Sequence, residues 1–197
     1  MEVDEERGPT RTTKWLDDPH AFRALAHPLR LRLLGQLRTG GPATATTLAG
    51  VFKESVASIS YHLRQLGKHG FIEEATELAR DGRERWWRAS HTTTSWSTVD
   101  LLDSPEGLAA EAAFASEVLR IYSEVAHRWL NERVEWGKQW VDAAAMGDEI
   151  LRLSPGELRD LLSELRAVVA RFNERTPSDG AETVHLILQA YPFKAPP

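Results

Sequence analysis

The sequence predicts a mainly α chain of the α+β class: four short helices and one β-hairpin, then a C-terminal helical region with one or two short strands. Three observations carry this. Apolar residues recur at helical spacing through the N-terminal half, most clearly Val56, Ile59, Leu63 and Leu66 at steps of 3, 4 and 3. Two β-prone runs, one from Phe71-Ile72 and one over Arg83–Ala89, flank the turn signal Arg80-Asp81-Gly82. Beyond Thr92 helical spacing returns in two long stretches, with strand-like runs at Glu149–Leu153 and Thr183–Tyr191.

In chain order, residues 1–14 are polar, contain Gly8-Pro9 and three threonines and show no apolar period, so they read as a mobile arm. Asp17 or Asp18 caps a short helix that has Pro19 near its start. Pro28 opens a second helix. Leu29, Leu31, Leu33, Leu34 and Leu37 form its apolar face, Arg30, Arg32 and Arg38 leave on the other, and Gly40-Gly41-Pro42 stops it. Thr44 or Thr46 starts a third helix with Leu48, Ala49 and Phe52 inward. Ser55 is the cap of a fourth, which Gly70 ends. Trp86 and Trp87 are adjacent on the returning strand and must point to opposite faces.

Thr92–Ser97 reads as a polar linker, and Pro105 opens a helical stretch over roughly 106–145 that Gly137 argues against being unbroken. Ser154-Pro155-x-Glu157 has the pattern of a capping box and starts a helix to about Arg175. The chain therefore divides into an arm (1–14), a helix-rich domain with a hairpin (15–92) and a C-terminal region (93–197).

Composition bounds the function. The chain has 197 residues, is 42% hydrophobic and 27% charged, and can bury a core. No apolar run approaches the roughly 18 residues of a membrane span and no secretory leader pattern opens the chain, so a cytoplasmic protein without a membrane partner is expected. With no cysteine, disulfides and thiolate metal sites are excluded. The net charge of −5 is unevenly spread. Residues 19–70 hold 7 Lys and Arg against 1 acidic residue, while residues 93–197 hold 10 against 17. The positive half suits a polyanion, and the acidic half would repel one.

A helix with hydroxyls, an imidazole and cations on one face, preceded by a second helix at turn distance and followed by an arginine-rich hairpin, is the layout of a winged helix–turn–helix. The fourth helix (55–68) is then the candidate recognition helix and the hairpin (71–89) the wing. Ser55, Ser58, Ser60, Tyr61, His62, Arg64, Gln65 and Lys68 on the helix, with Arg80, Arg83 and Arg85 on the wing, are the candidate contacts to double-stranded DNA. Hydroxyls suit phosphates, arginine suits guanine or phosphate, and glutamine suits adenine. A single recognition helix is too little contact for specific affinity, so a homodimer on an inverted repeat is expected. The competing reading is a winged-helix module for protein contacts, which has no need of a basic reading face.

Residues 20–90 resemble the ArsR/SmtB family of winged-helix transcriptional regulators. The blocks that carry the resemblance are Ala24–Leu34, Ser58–Leu66, Gly70-Phe71-Ile72 and Gly82–Arg88. The resemblance implies a dimeric regulator, most often a repressor, whose fourth helix enters the major groove, and the whole chain looks like members with an added C-terminal region. It does not carry over metal sensing. The stretch that would start the third helix with thiolates reads Ala43-Thr44-Ala45-Thr46-Thr47, and the long helix holds His127 alone, so no metal site or cofactor is expected.

In the C-terminal region Tyr122, Trp129, Trp136 and Trp140 recur mostly on one side of the predicted long helix. They read as core or dimer packing, or, with Arg133, as a pocket for an organic effector. Asp142, Asp148 and Glu149 have no nucleophile or histidine beside them, so an enzyme is not expected. Truncation after His91 is expected to leave a monomeric winged helix.

Overall fold

The computed structural model describes residues 12–79 and 84–194. They form two compact units with the boundary after His127. The first unit runs in the order β1 (Thr13–Leu16), α1 (Pro19–Leu25), α2 (Pro28–Thr39), β2 (Ala43–Thr44), α3 (Ala45–Phe52), α4 (Val56–Lys68), β3 (Ile72–Glu74), β4 (Trp86–Ala89), β5 (Thr93–Trp96) and the greater part of α5 (Pro105–Glu132).

The helix starts follow the capping chemistry of the sequence. Asp18 accepts the His20 N–H at 2.8 Å ahead of α1, and Thr44 accepts from Thr47 at 3.1 Å ahead of α3. Ser55 accepts from Ser58 at 3.1 Å ahead of α4. Helix α2 is capped by an imidazole: His27 Nδ1 accepts the Leu29 N–H at 3.2 Å. Between α3 and α4, Lys53 takes the left-handed conformation (φ 55°) and the Glu54 N–H reaches back to the Ala49 carbonyl at 3.1 Å. This short turn sets α4 against α3.

One core serves all these elements. Phe22 and Leu25 of α1, Leu33, Leu34 and Leu37 of α2, Leu48 of α3 and Ile59, Leu63 and Leu66 of α4 are buried, together with Phe71, Ile72 and Trp87. Strand β4 lies between β2 and β3, antiparallel to both. Of the two adjacent tryptophans it is Trp87 that joins the core. Its ring lies against Gly67, where an added Cβ would stand 3.1 Å from Trp87 Cζ3, so the glycine lets the hairpin close on α4.

Four expectations change here. The arm expected through residue 14 already contains β1, since Thr13 and Lys14 pair with Thr93 and Thr94 in a parallel ladder; residues 1–11 lie outside the described residues. The expected linker Thr92–Ser97 is the partner strand β5. Threonine hydroxyls hold the two strands together, with Thr13 Oγ1 2.8 Å from Thr93 Oγ1 and Thr92 Oγ1 donating to the Thr12 carbonyl at 2.8 Å. The domain boundary expected at 92 is also displaced. Trp96 meets Phe114 edge-on at 5.0 Å and Phe22 at 6.4 Å, and Leu101, Ala110 and Phe114 are buried in the same core. Arg38, expected on the outer face of α2, is half-buried instead. It donates to the His91 carbonyl at 2.9 Å and to Thr94 Oγ1 at 2.8 Å, and burial pulls its guanidinium down to about 10.

The second unit holds the end of α5, α6 (Lys138–Ala143) and α7 (Pro155–Asn173). The long helix expected over 106–145 ends at Glu132, and Gly137 at φ 80° starts α6. At α7 Ser154 and Glu157 form the expected reciprocal cap. The expected strands at Glu149–Leu153 and Thr183–Tyr191 have no ladder partner among the described residues. Alternation supplies a strand with an apolar face but not with an edge to pair with, and Val184, Leu186 and Leu188 stay exposed. No residue of α6 or α7 is buried.

Candidate nucleic-acid interface

Helix α4 is sharply two-faced. Ile59, Leu63 and Leu66 are fully shielded, whereas Ser55, Tyr61, Arg64 and Lys68 are exposed and Ser58, Ser60 and Gln65 are half-exposed. The helix contains no acidic residue. Its accessible side is therefore a row of hydroxyl, phenol, amide and cationic groups, of the kinds that bond to phosphates and base edges. The first turn is open as well, since Val56 is 45% exposed. Its spacing groups it with Ile59, Leu63 and Leu66, but it stands at the first helical position, before the helix meets the core.

His62 belongs to the other face. It is 9% exposed, its ring packs at a tilt of 43° against His27 with centroids 4.4 Å apart, and Nδ1 is buried with no hydrogen-bond partner. The structure places this candidate contact on the inward side and not on the polar face: residues 59, 62, 63 and 66 form the inward stripe, and the imidazole occupies one of its places. Burial, then the neighbouring His27 and then Arg30 hold the His62 imidazole below its ordinary range, against a weaker pull from Glu54. Burial does the same to His27, with Arg30 adding to it and Glu117 and its own backbone bond opposing. Both rings are biased toward the neutral form where α2 begins and α4 packs against it.

The described part of the wing is less basic than its arginines suggest. Arg80 and Arg83 lie outside the described residues. Arg85 is 66% exposed at its side chain and lies 3.4 Å from Glu74. Arg88 donates to Glu73 at 2.8 Å and pairs with Glu77, and these partners push its guanidinium upward, the Glu73 hydrogen bond most of all. The described part of the hairpin thus sets Glu73, Glu74 and Glu77 against Arg85 and Arg88. Surface pairs of this kind add little stability, but they lower the charge that the hairpin presents.

The candidate effector residues are divided between the two units. Tyr122 falls in the first unit, and Trp129, Arg133, Trp136 and Trp140 in the second. Trp136 and Trp140 meet edge-on at 6.2 Å, with Trp136 still 42% exposed. A shallow groove beside them is lined by Val134, Gly137, Lys138, Gln139, Val141 and Asp142, without the aromatic rings. The break in the helix between Glu132 and Lys138 interrupts the aromatic stripe that an unbroken helix would have carried. Among the described residues no three His, Asp or Glu side chains are grouped to hold a metal ion.

Comparison with known proteins agrees with this geometry in one segment. Residues 25–75 match a family model described as a helix-turn-helix domain. The match takes in α2, α3, α4 and β3, the elements that build and orient the exposed row on α4. It supports a DNA-binding regulator. No curated protein matches the chain. No helix among the described residues is long and apolar enough to cross a membrane.

Proposed function

We propose that the protein is a sequence-specific DNA-binding transcriptional regulator, a repressor of the ArsR/SmtB type, acting as a homodimer on an inverted repeat. The observation that carries this reading is α4 itself: an acid-free helix fixed to the core by Ile59, Leu63 and Leu66, with Arg64, Gln65 and Lys68 on its accessible side. In this reading α4 enters the major groove, Arg64 and Gln65 meet base edges, and the hydroxyls of Ser55, Ser58, Ser60 and Tyr61 hold phosphates. Two copies place their α4 helices about one helical turn apart, roughly 34 Å along the duplex.

The dimer half of the reading rests on the second unit. Leu165, Val168 and Phe172 of α7 are exposed on one amphipathic helix, and Leu158, Leu161 and Leu162 are only half-buried. A second copy of the same surface would cover them. Release from DNA would then follow from an organic effector near Trp136 and Trp140 that binds the DNA-free form more tightly, because equal affinity for both forms shifts nothing.

The test is selection of duplexes from a random library by the purified chain, with the stoichiometry of the selected complex read by analytical ultracentrifugation. Two chains on a palindromic duplex is the expected result. Binding that is indifferent to sequence would overturn the regulator reading and favour a protein-contact module.

A further inference from the structure

The flank of α4 away from the wing is an open cleft of about 580 Å³ between α1, the start of α2 and the C-terminal half of α4. His20, Arg23, Arg30, Gln65, Lys68 and His69 line it, with Asp18 as its single acidic group. That carboxylate is already engaged with the His20 N–H. Arg23 is paired with Glu106, and its Nη1 lies 3.4 Å from His20 Nδ1. Arg30 donates one Nη2 hydrogen to the Arg23 carbonyl at 3.1 Å, and its Nε has no acceptor. Neither Arg30 nor Lys68 makes an ion pair among the described residues.

We propose that this cleft is a phosphate-binding site, filled by the phosphate group of a DNA backbone or of a free phosphate-bearing small molecule. The lining is dominated by donors: two guanidiniums, one of them paired with Glu106, an ammonium, an amide and two imidazoles, against the single carboxylate of Asp18. A phosphate has only acceptors to offer at its oxygens, and arginine and lysine are the side chains that bind it best. The neighbouring His69 senses the same excess of positive charge. Burial first, and then Lys68, Arg30 and His20, hold its imidazole below the ordinary range, with Asp18 alone pulling the other way. The wing, by contrast, spends its described arginines on glutamates of its own hairpin. Gln65 and Lys68 belong both to the cleft and to the accessible side of α4, so the two surfaces are continuous. The DNA arm of this proposal rests on the function proposed above; the free-phosphate arm does not.

The experiment has two arms on the full chain, native and Arg30→Gln/Lys68→Gln, with thermal melting to show that both are folded and Lys68→Gln alone as the milder variant. In the first, imidazole NMR resonances are followed as inorganic phosphate replaces chloride at constant ionic strength. Saturable shifts of His20 and His69 that the substitutions abolish are expected for a free phosphate. In the second, affinity for a random-sequence duplex is measured against salt, and a slope reduced by about one to two in the double variant is expected for a backbone phosphate. A positive first arm alone assigns the site to a small phosphate compound, and a positive second arm alone assigns it to DNA. If the native chain binds no duplex, the DNA reading fails while the resonances still decide the cleft. Resonances no different from chloride, together with an unchanged slope or no DNA binding, overturn the proposal.

Discussion

The two units use the same apolar vocabulary to different ends. Up to His127 the leucines and aromatics of five helices and a hairpin close on one another, and Phe22, Leu33, Ile59, Leu63 and Leu66 are fully shielded. From Arg128 onward α7 has a good cap and a regular apolar stripe, yet none of its residues is buried. Spacing and capping decide whether a helix forms. Whether its stripe becomes a core depends on a partner, which the first unit supplies within the chain.

The sharpest way to break this comparison is truncation. A chain ending at His127 should keep the first fold intact, whereas one ending at His91 should lose it. The shorter chain lacks β5, the partner of β1, and strips Trp96, Leu101, Ala110 and Phe114 from the core. Circular dichroism and urea unfolding of the two chains check this. A cooperative, native-like transition in the shorter one would restore the boundary at residue 92.

Side-chain truncation gives the next largest effect. Leu63→Ala opens a cavity in a closed core and should cost about 2–5 kcal/mol. Val168→Ala, at a position 39% exposed, should cost less than about 1 kcal/mol in the monomer. Equal losses in urea titrations would mean that α7 has a core of its own.

Much of the first unit was legible because its signals are local. Asp18, Thr44 and Ser55 are caps by chemistry, and Ser154 with Glu157 announces α7 before any tertiary contact is known. The exposed row of α4 also followed from spacing, with one exception. The polarity of His62 suggests the outer face, although its position three residues after Ile59 and four before Leu66 puts it in the stripe. Its partner, His27, is remote in sequence and could not have been found there. The β1–β5 ladder was illegible for a similar reason. It joins two threonine-rich segments 80 residues apart, with little apolar alternation to betray either. Arg38 looked like surface charge because its acceptors, the His91 carbonyl and Thr94, come from that same unseen ladder.

A smaller effect separates the units by pH. His27 and His62 are held below their ordinary range in the folded state, so the unfolded chain takes up protons more readily between the two values. Stability is then fully present above about pH 6.5 and is lost as pH falls below it. A proton on His27 Nδ1 would also remove the acceptor that caps α2. Melting temperatures should fall between about pH 7 and pH 5, and His62→Leu should flatten part of that slope. An unchanged slope would show that the packed imidazole pair does not titrate with folding.

The smallest effect belongs to the wing. Arg85→Ala should reduce the salt dependence of DNA binding by no more than about one charge, and by less if Glu74 keeps the guanidinium engaged. A loss of sequence preference from this change would move base reading from α4 to the hairpin.

The central claim is that α4 reads sequence, and the direct measurement is the ratio of affinities for a selected duplex and its scrambled counterpart at one salt concentration. The native chain should prefer the selected duplex by about 10³-fold or more. Arg64→Ala should lower that ratio by roughly 10-fold or more, corresponding to about 1–3 kcal/mol of lost discrimination, while binding to the scrambled duplex changes much less. A native ratio near one, or a ratio that Arg64→Ala leaves untouched, would contradict the account.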